Sequence, residues 1–217
     1  PKGGMITIYS YNAPKIQVTA SSDTVVNNAV ITGSFLSVVA GENTTTDTLE
    51  VVLDNVHMEN NTADDGGVIW VGLADSQILN LTITAQNSYF VGNTATRGGV
   101  VALIDESTSE PRANITWHLD WQNCTVTGNQ ATEGAVLYFP SISPADSVST
   151  LVLSDCVFQH NVAASEGATL FLNQSVDVVL TNHRVEDDSV HLYLTNANST
   201  LHVTSLYFTA DSMTPPV

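Results

Sequence analysis

Positive charge is what this chain most lacks. It has five Lys plus Arg against 22 Asp plus Glu, a formal net charge of −17. Nucleic-acid binding relies on clustered cations, and an acidic chain is repelled by phosphate backbones, anionic lipid and acidic polysaccharide. Charge of either sign is scarce, at 12% of residues, where about 25% is usual. Helix formers such as Lys, Glu and Arg are therefore thin, and Val, Thr and Ile favour strands. No stretch approaches the ~18 uninterrupted apolar residues of a membrane-spanning helix, so no membrane insertion is expected. No signal-peptide pattern is visible. The chain begins Pro1-Lys2-Gly3-Gly4, as expected of a mature or excised segment. Two cysteines exclude a disulfide-dense scaffold. With 217 residues, 43% of them hydrophobic, the chain has enough apolar material for one domain with its own core.

What is there is a repeat. Segments 49–71, 81–103, 117–139 and 151–172 share one layout: an alternating strand, a polar residue, a short strand ending in Asn, a polar turn, then a glycine-containing pair and an apolar strand. Two columns run through more copies than these four. The first is Asn28, Asn61, Asn93, Asn129, Asn161, Asp188 and Asp211. The second lies six residues earlier each time, at Ser22, Asn55, Asn87, Asn123, Asp155, Asn182 and Ser205. The periods are 33, 32, 36, 32, 27 and 23 residues, and the variation falls almost wholly after the third strand.

Three strands per repeat with tight corners describe one coil of a right-handed parallel β-helix of about seven rungs, an all-β solenoid. Stacking supplies the core that a single coil cannot bury. Asn in both columns is expected to accept the left-handed corner conformation and to hydrogen-bond from rung to rung. Gly66-Gly67 and Gly98-Gly99 suit the start of the third strand, where a side chain would crowd the corner. The expected organisation is an N-terminal extension over 1–14, the solenoid over 15–211 and a tail over 212–217. Met5, Ile6, Thr7, Ile8, Tyr9, Ser10 and Tyr11 alternate like a strand outside the repeat. That strand can pair with its own first rung or with a neighbouring protomer.

Seven Asn-x-Ser/Thr sequons occur, at Asn43, Asn60, Asn80, Asn114, Asn123, Asn173 and Asn198. The 18 Asn and 46 Ser or Thr would make about four by chance. The excess suggests a secretory route and surface N-glycans, against the alternative that an Asn- and Thr-rich solenoid makes sequons by accident. Cys124 and Cys156 fall in one column of successive rungs, close enough for a disulfide, or else for two free core thiols acting as small hydrophobes. His57, His118, His160, His183, His191 and His202 show no ligand spacing and are expected on solvent-facing positions. Asp64-Asp65, Asp105-Glu106 and Asp187-Asp188 lack the spacing of a calcium loop, so no metal and no cofactor are expected.

Enzymatic readings find little to use. A polysaccharide lyase needs a cationic base among carboxylates, and only Lys2, Lys15, Arg97, Arg112 and Arg184 are available. Arg184 lies beside Glu186, Asp187 and Asp188, where a structural ion pair explains it equally well. Paired carboxylates for glycoside hydrolysis should converge within about 5–9 Å on one face, whereas Glu50 and Asp120 fall two rungs apart. No catalytic residue is assigned.

Phe90-Val91-Gly92-Asn93 and Phe158-Gln159-His160-Asn161 resemble the FxxN element of polymorphic membrane protein repeats. Gly66-Gly67-Val68 and Gly98-Gly99-Val100 resemble their GG[ALIV] element, and Met58, Val126 and Phe208 open looser copies. The resemblance spans roughly residues 15–211 and implies a surface-exposed β-helix used in adhesion. Nothing in this chain resembles the translocator barrel of the bacterial members. The resulting expectation is a non-enzymatic, secreted or cell-surface glycoprotein that self-associates into a fibre or coat through its stack ends and strand 5–11. The alternative is an adhesin that binds a protein or glycan receptor through loops 105–115 and 140–149. A polysaccharide-degrading enzyme is a remote third reading.

Overall fold

Apolar residues at every second position give each strand one face to bury, and the corners turn that face inward three times per repeat. A computed structural model describes residues 4–10, 15–40, 46–73, 78–106, 114–140, 148–165, 169–186, 192–194 and 198–209. Within them the chain winds as a parallel β-solenoid of three stacked sheets with seven strands each. Sheet A contains β1 (Ile6–Ser10), β4 (Leu36–Ala40), β7 (Ile69–Leu73), β10 (Val101–Asp105), β14 (Leu137–Phe139), β18 (Leu170–Leu172) and β21 (Leu192–Leu194). Sheet B contains β2 (Ile16–Ser21), β5 (Thr46–Asp54), β8 (Ile78–Gln86), β11 (Asn114–Gln122), β15 (Ser149–Ser154), β19 (Val176–Thr181) and β22 (Thr200–Val203). Sheet C contains β3 (Thr24–Val26), β6 (His57–Glu59), β9 (Tyr89–Val91), β12 (Thr125–Thr127), β16 (Val157–Gln159), β20 (His183–Glu186) and β23 (Leu206–Thr209). Two short strands, β13 (Gln130–Ala131) and β17 (Val162–Ala163), pair beside them.

Strand β1 takes the first of the two pairings expected for the N-terminal segment along one of its edges. It pairs in parallel with β4, from Ile6 opposite Leu36 to Ser10 opposite Ala40, so it belongs to the solenoid of its own chain. The solenoid thus begins before residue 15, within the segment expected to be an extension. Tyr11 and residues 210–217, which include the expected tail, lie outside the described residues.

Inward columns form the core. Met58, Phe90, Val126 and Phe158 stack along sheet C, and Leu53, Ala85, Trp121 and Leu153 along sheet B; all are buried. Trp121 packs between Phe90 and Phe158, with ring centroids 5.0 and 6.5 Å away. Burying one such side chain is worth roughly 1.5–3 kcal/mol. The long columns supply most of the stabilisation, because each rung covers its neighbour.

The two Asn columns do different things, which corrects the single role expected for both. The earlier one is left-handed and exposed, with φ of 53° at Asn55, 51° at Asn87 and Asn123, and 48° at Asn182. Its side chains bond only in part, as from Asn123 Nδ2 to Asn87 Oδ1 at 2.8 Å and Asn55 Nδ2 to Ser22 Oγ at 3.2 Å. The later column is turned inward. Asn61, Asn93, Asn129 and Asn161 are fully buried, and the left-handed residue is the one before each of them: Asn60, Gly92, Gly128 and His160. Asn93 shows the unit. Its Oδ1 accepts the backbone N–H and Nδ2 of Asn61 at 3.1 and 3.0 Å. Its Nδ2 donates to Met58 O at 2.9 Å and to Asn129 Oδ1 at 3.0 Å, and its own N–H donates to Asn129 Oδ1 at 2.9 Å. The ladder starts at Asn28, whose Nδ2 reaches Asn61 Oδ1 at 3.1 Å. Asp188 and Asp211 lie outside the described residues.

The glycine pairs divide their work. Gly66 and Gly98 take φ of 60° and 62°, while a Cβ on Gly67 would lie 2.0 Å from the Gly99 carbonyl oxygen of the next rung.

Candidate functional site

Among the described residues, the terminal strands have no partner on their outer edges, and apolar side chains beside them are exposed. Leu201, Val203 and Phe208 continue the inward columns of Val178, Leu180 and Val185. The last turn leaves them 50%, 46% and 66% exposed, whereas Val178, Leu180 and Val185 are buried. At the other end Val18, Ala20 and Val25 are buried, while Ile6 and Tyr9 of β1 are exposed. The six terminal strands β1, β2, β3, β21, β22 and β23 contain no Lys, Arg, Asp, Glu or Pro, although the chain has 22 acids. Charge and proline are the usual devices that keep sheet edges from pairing with other chains.

A second feature is a groove of about 300 Å³ on the outer face of sheet A near the N-terminal turns. Tyr9, Ser37, Asp64, Asp65, Trp70 and Glu106 are among its lining residues. Trp70 points outward, its ring lying over Gly72, where a Cβ would come within 2.2 Å of Cη2. Its indole nitrogen is buried without a hydrogen-bond partner. Farther along the same face Tyr138, Phe171 and Tyr193 stack at successive 5.2 Å centroid spacings. Sequence reasoning missed this face because β7 is apolar at every position, and period 2 cannot then tell inside from outside. Glycine two residues after Trp70 is the signal that could have marked it.

The three described cations are all paired with carboxylates, Arg97 and Lys15 across rungs and Arg184 within its own strand. Arg97 spans to Asp65 of the preceding rung, with Nε and Nη2 at 2.6 and 2.8 Å from its two carboxylate oxygens. That hydrogen bond raises the Arg97 pKa, against the lowering effect of burial. Arg97 also lies 5.9 Å from the Tyr138 ring centroid. Burial, with Glu133 beside it, pushes the Tyr138 phenol up. Lys15 pairs with Glu50 at 2.8 Å, and Arg184 pairs with Glu186. Lys2 and Arg112 lie outside the described residues.

The histidines only partly follow expectation. His118, His160 and His202 are exposed and His57 is half-buried, but His183 is fully buried with its ring edge-on to Phe158, centroids 4.9 Å apart. It follows the left-handed Asn182 and so takes the inward corner position that Val56, Ser88, Cys124 and Cys156 hold in other rungs. His191 lies outside the described residues. The two thiols are unbonded and buried in adjacent rungs. Among the described residues no three His, Cys, Asp or Glu side chains gather in a way that could hold a metal ion.

Of the sequons, Asn60, Asn80, Asn123 and Asn198 are exposed and Asn173 is partly so. Asn114 lies in β11, and Asn43 falls outside the described residues. None of the six described sequon asparagines is in a strand of sheet A or sheet C. No described helix is long and apolar enough to cross a membrane.

The fold defines a class, the parallel β-solenoids with three strands per rung. Compared with models of protein families, with curated proteins and with solved structures, the chain matches none. The functional reading therefore rests on the geometry above.

Proposed function

We propose that this chain is a non-enzymatic structural unit of an extracellular, N-glycosylated fibre or surface coat, whose copies stack head to tail. The observation that carries the reading is the exposed apolar last turn, whose Leu201, Val203 and Phe208 fall in the same columns as Val18, Ala20 and Val25 of the first. Each sheet holds seven described strands, and in such a stack β21, β22 and β23 of one copy would pair with β1, β2 and β3 of the next. All six are parallel strands without charge, and Leu201, Val203 and Phe208 would be covered by the turn that holds Val18, Ala20 and Val25. Such a contact is heterologous and does not close, so it propagates as a filament. The sequons and the resemblance to polymorphic membrane protein repeats support a secreted or cell-surface location.

Light scattering across a concentration series, with negative-stain microscopy, tests the reading. Wild-type protein should form filaments, and Leu201→Glu with Val203→Glu should yield folded monomers. A wild-type chain that stays monomeric at every concentration would overturn it.

The outer face of sheet A favours a second reading, an adhesin. Its groove combines Trp70 and Tyr9 with carboxylates and hydroxyls, a lining suited to a glycan or a protein side chain, and no described sequon asparagine lies in its strands. Glycan-array binding by monomeric protein that is lost on Trp70→Ala would support it.

A further inference from the structure

The chain has two cysteines in 217 residues. Each directly follows a left-handed corner residue, Asn123 or Asp155, and so takes the same inward position in its rung. The rungs are adjacent, since β12 pairs with β16 from Thr125 opposite Val157, and the N–H of Val157 donates to the carbonyl of Cys124 at 2.9 Å. With one cysteine placed, only two of the other 216 positions, one on each side, would put the second in the same column of a neighbouring rung. Chance therefore gives this arrangement about once in a hundred.

We infer that Cys124 and Cys156 are the two halves of a rung-to-rung disulfide, formed when the protein folds in an oxidising compartment. Adjacent parallel strands hold equivalent Cα atoms about 4.8 Å apart, inside the roughly 4.4–6.8 Å that a disulfide spans. The Cys156 sulfur already turns back towards the rung of Cys124, lying 3.3 Å from the Trp121 carbonyl oxygen. The Cys124 sulfur lies 3.5 Å from the carbonyl of Ala85, one rung earlier. Hydrogen bonding between the two thiols, together with burial, pushes Cys156 up.

The step is ordinary thiol–disulfide exchange. One thiol loses its proton and attacks a small-molecule disulfide such as glutathione disulfide, releasing one thiolate. The second protein thiol loses its proton and displaces the other, so one S–S bond forms, two S–H bonds break, and two electrons reduce the small disulfide to two thiols. Because both sulfurs are fully buried, exchange must occur before rungs four and five close over each other. The same burial hides the finished bond from reductant. The product is a cryptic staple in the middle of the stack, closing a loop from residue 124 to residue 156.

The occurrence of this bond in the cell rests on the extracellular reading above, but the capacity to form it does not. The experiment is therefore done in vitro. Reduced, denatured protein is refolded with glutathione disulfide, then denatured without reductant, alkylated and weighed intact. The expected result is no alkylation and a mass about 2 Da below the dithiol form. Two alkylated cysteines in refolded protein would overturn the proposal. Cys124→Ser and Cys156→Ser should each leave one thiol, and serine already occupies the same inward position at Ser88. Folded, oxidised protein should resist dithiothreitol until denaturant is added; reduction equally fast in both conditions would show that the bond is not the buried one. Native material showing two free thiols, after oxidation in vitro has succeeded, would count against the extracellular reading alone.

Discussion

Asn93→Ala is the perturbation whose cost follows most directly from the geometry. Removing Oδ1 strands the Asn61 backbone N–H, bonded at 3.1 Å, and one Asn61 amide proton, bonded at 3.0 Å. Removing Nδ2 takes the donor from Met58 O at 2.9 Å. Each buried group left unpaired costs about 1–3 kcal/mol. Some relaxation and water entry will relieve the worst of this, so about 3–5 kcal/mol is expected, a large part of a normal domain's ~5–15 kcal/mol. Asn87 provides the comparison. It is exposed, water can replace its lost bonds, and alanine there mainly meets the left-handed backbone at φ 51°, worth about 1–2 kcal/mol. Asn87→Gly should cost about nothing. Denaturant titrations followed by far-ultraviolet circular dichroism measure all three. If Asn93→Ala costs under about 1 kcal/mol, or no more than Asn87→Ala, the inward amide ladder does not hold the corners as argued.

Three further outcomes follow. Gly67→Ala puts a Cβ 2.0 Å from the Gly99 carbonyl oxygen, and rungs should separate at a cost of about 2–3 kcal/mol. Gly128→Ala, whose Cβ meets nothing nearer than 3.9 Å, should show only the left-handed penalty of about 1–2 kcal/mol, so thermal melts of the pair compare crowding with strain. Burial raises Tyr138 above the ordinary phenol value of about 10. Its contribution to stability is therefore intact below that value and is lost as pH rises through the folded pKa, so ultraviolet titration should find one tyrosine ionising after the others, and Tyr138→Phe should remove that step. Expression in a eukaryotic secretory host should place a glycan on exposed Asn80; an unmodified Asn80 in peptide N-glycosidase mapping would contradict the surface-glycoprotein reading.

Much of the solenoid was legible because its physics is periodic. Alternation at Leu81 and Ile83 marks inward positions, and the constant offset of six spans each sheet-C strand from the corner before it to the corner after it. The roles of the two corners were not legible, because asparagine serves equally well as a left-handed residue and as an amide ladder. Only backbone geometry separates Asn55, which is left-handed and exposed, from Asn61, which is buried behind the left-handed Asn60. His183 was misplaced for a related reason: residue type suggested solvent, while its position directly after the corner of Asn182 turned it inward. The Arg97–Asp65 pair spans 32 residues, so no local pattern could announce it. The apolar end turn was also hidden, since Leu201, Val203 and Phe208 read like any other core column until the stack stops covering them.

Stacking at the ends is the central claim, and electron cryo-microscopy of concentrated purified protein tests it most directly. Seven strands per sheet at about 4.8 Å spacing predict polar filaments with an axial subunit repeat of about 34 Å and unbroken sheets across each junction. Dispersed, folded monomers under every condition would contradict the account, as would particles joined by a two-fold axis across the Leu201 end.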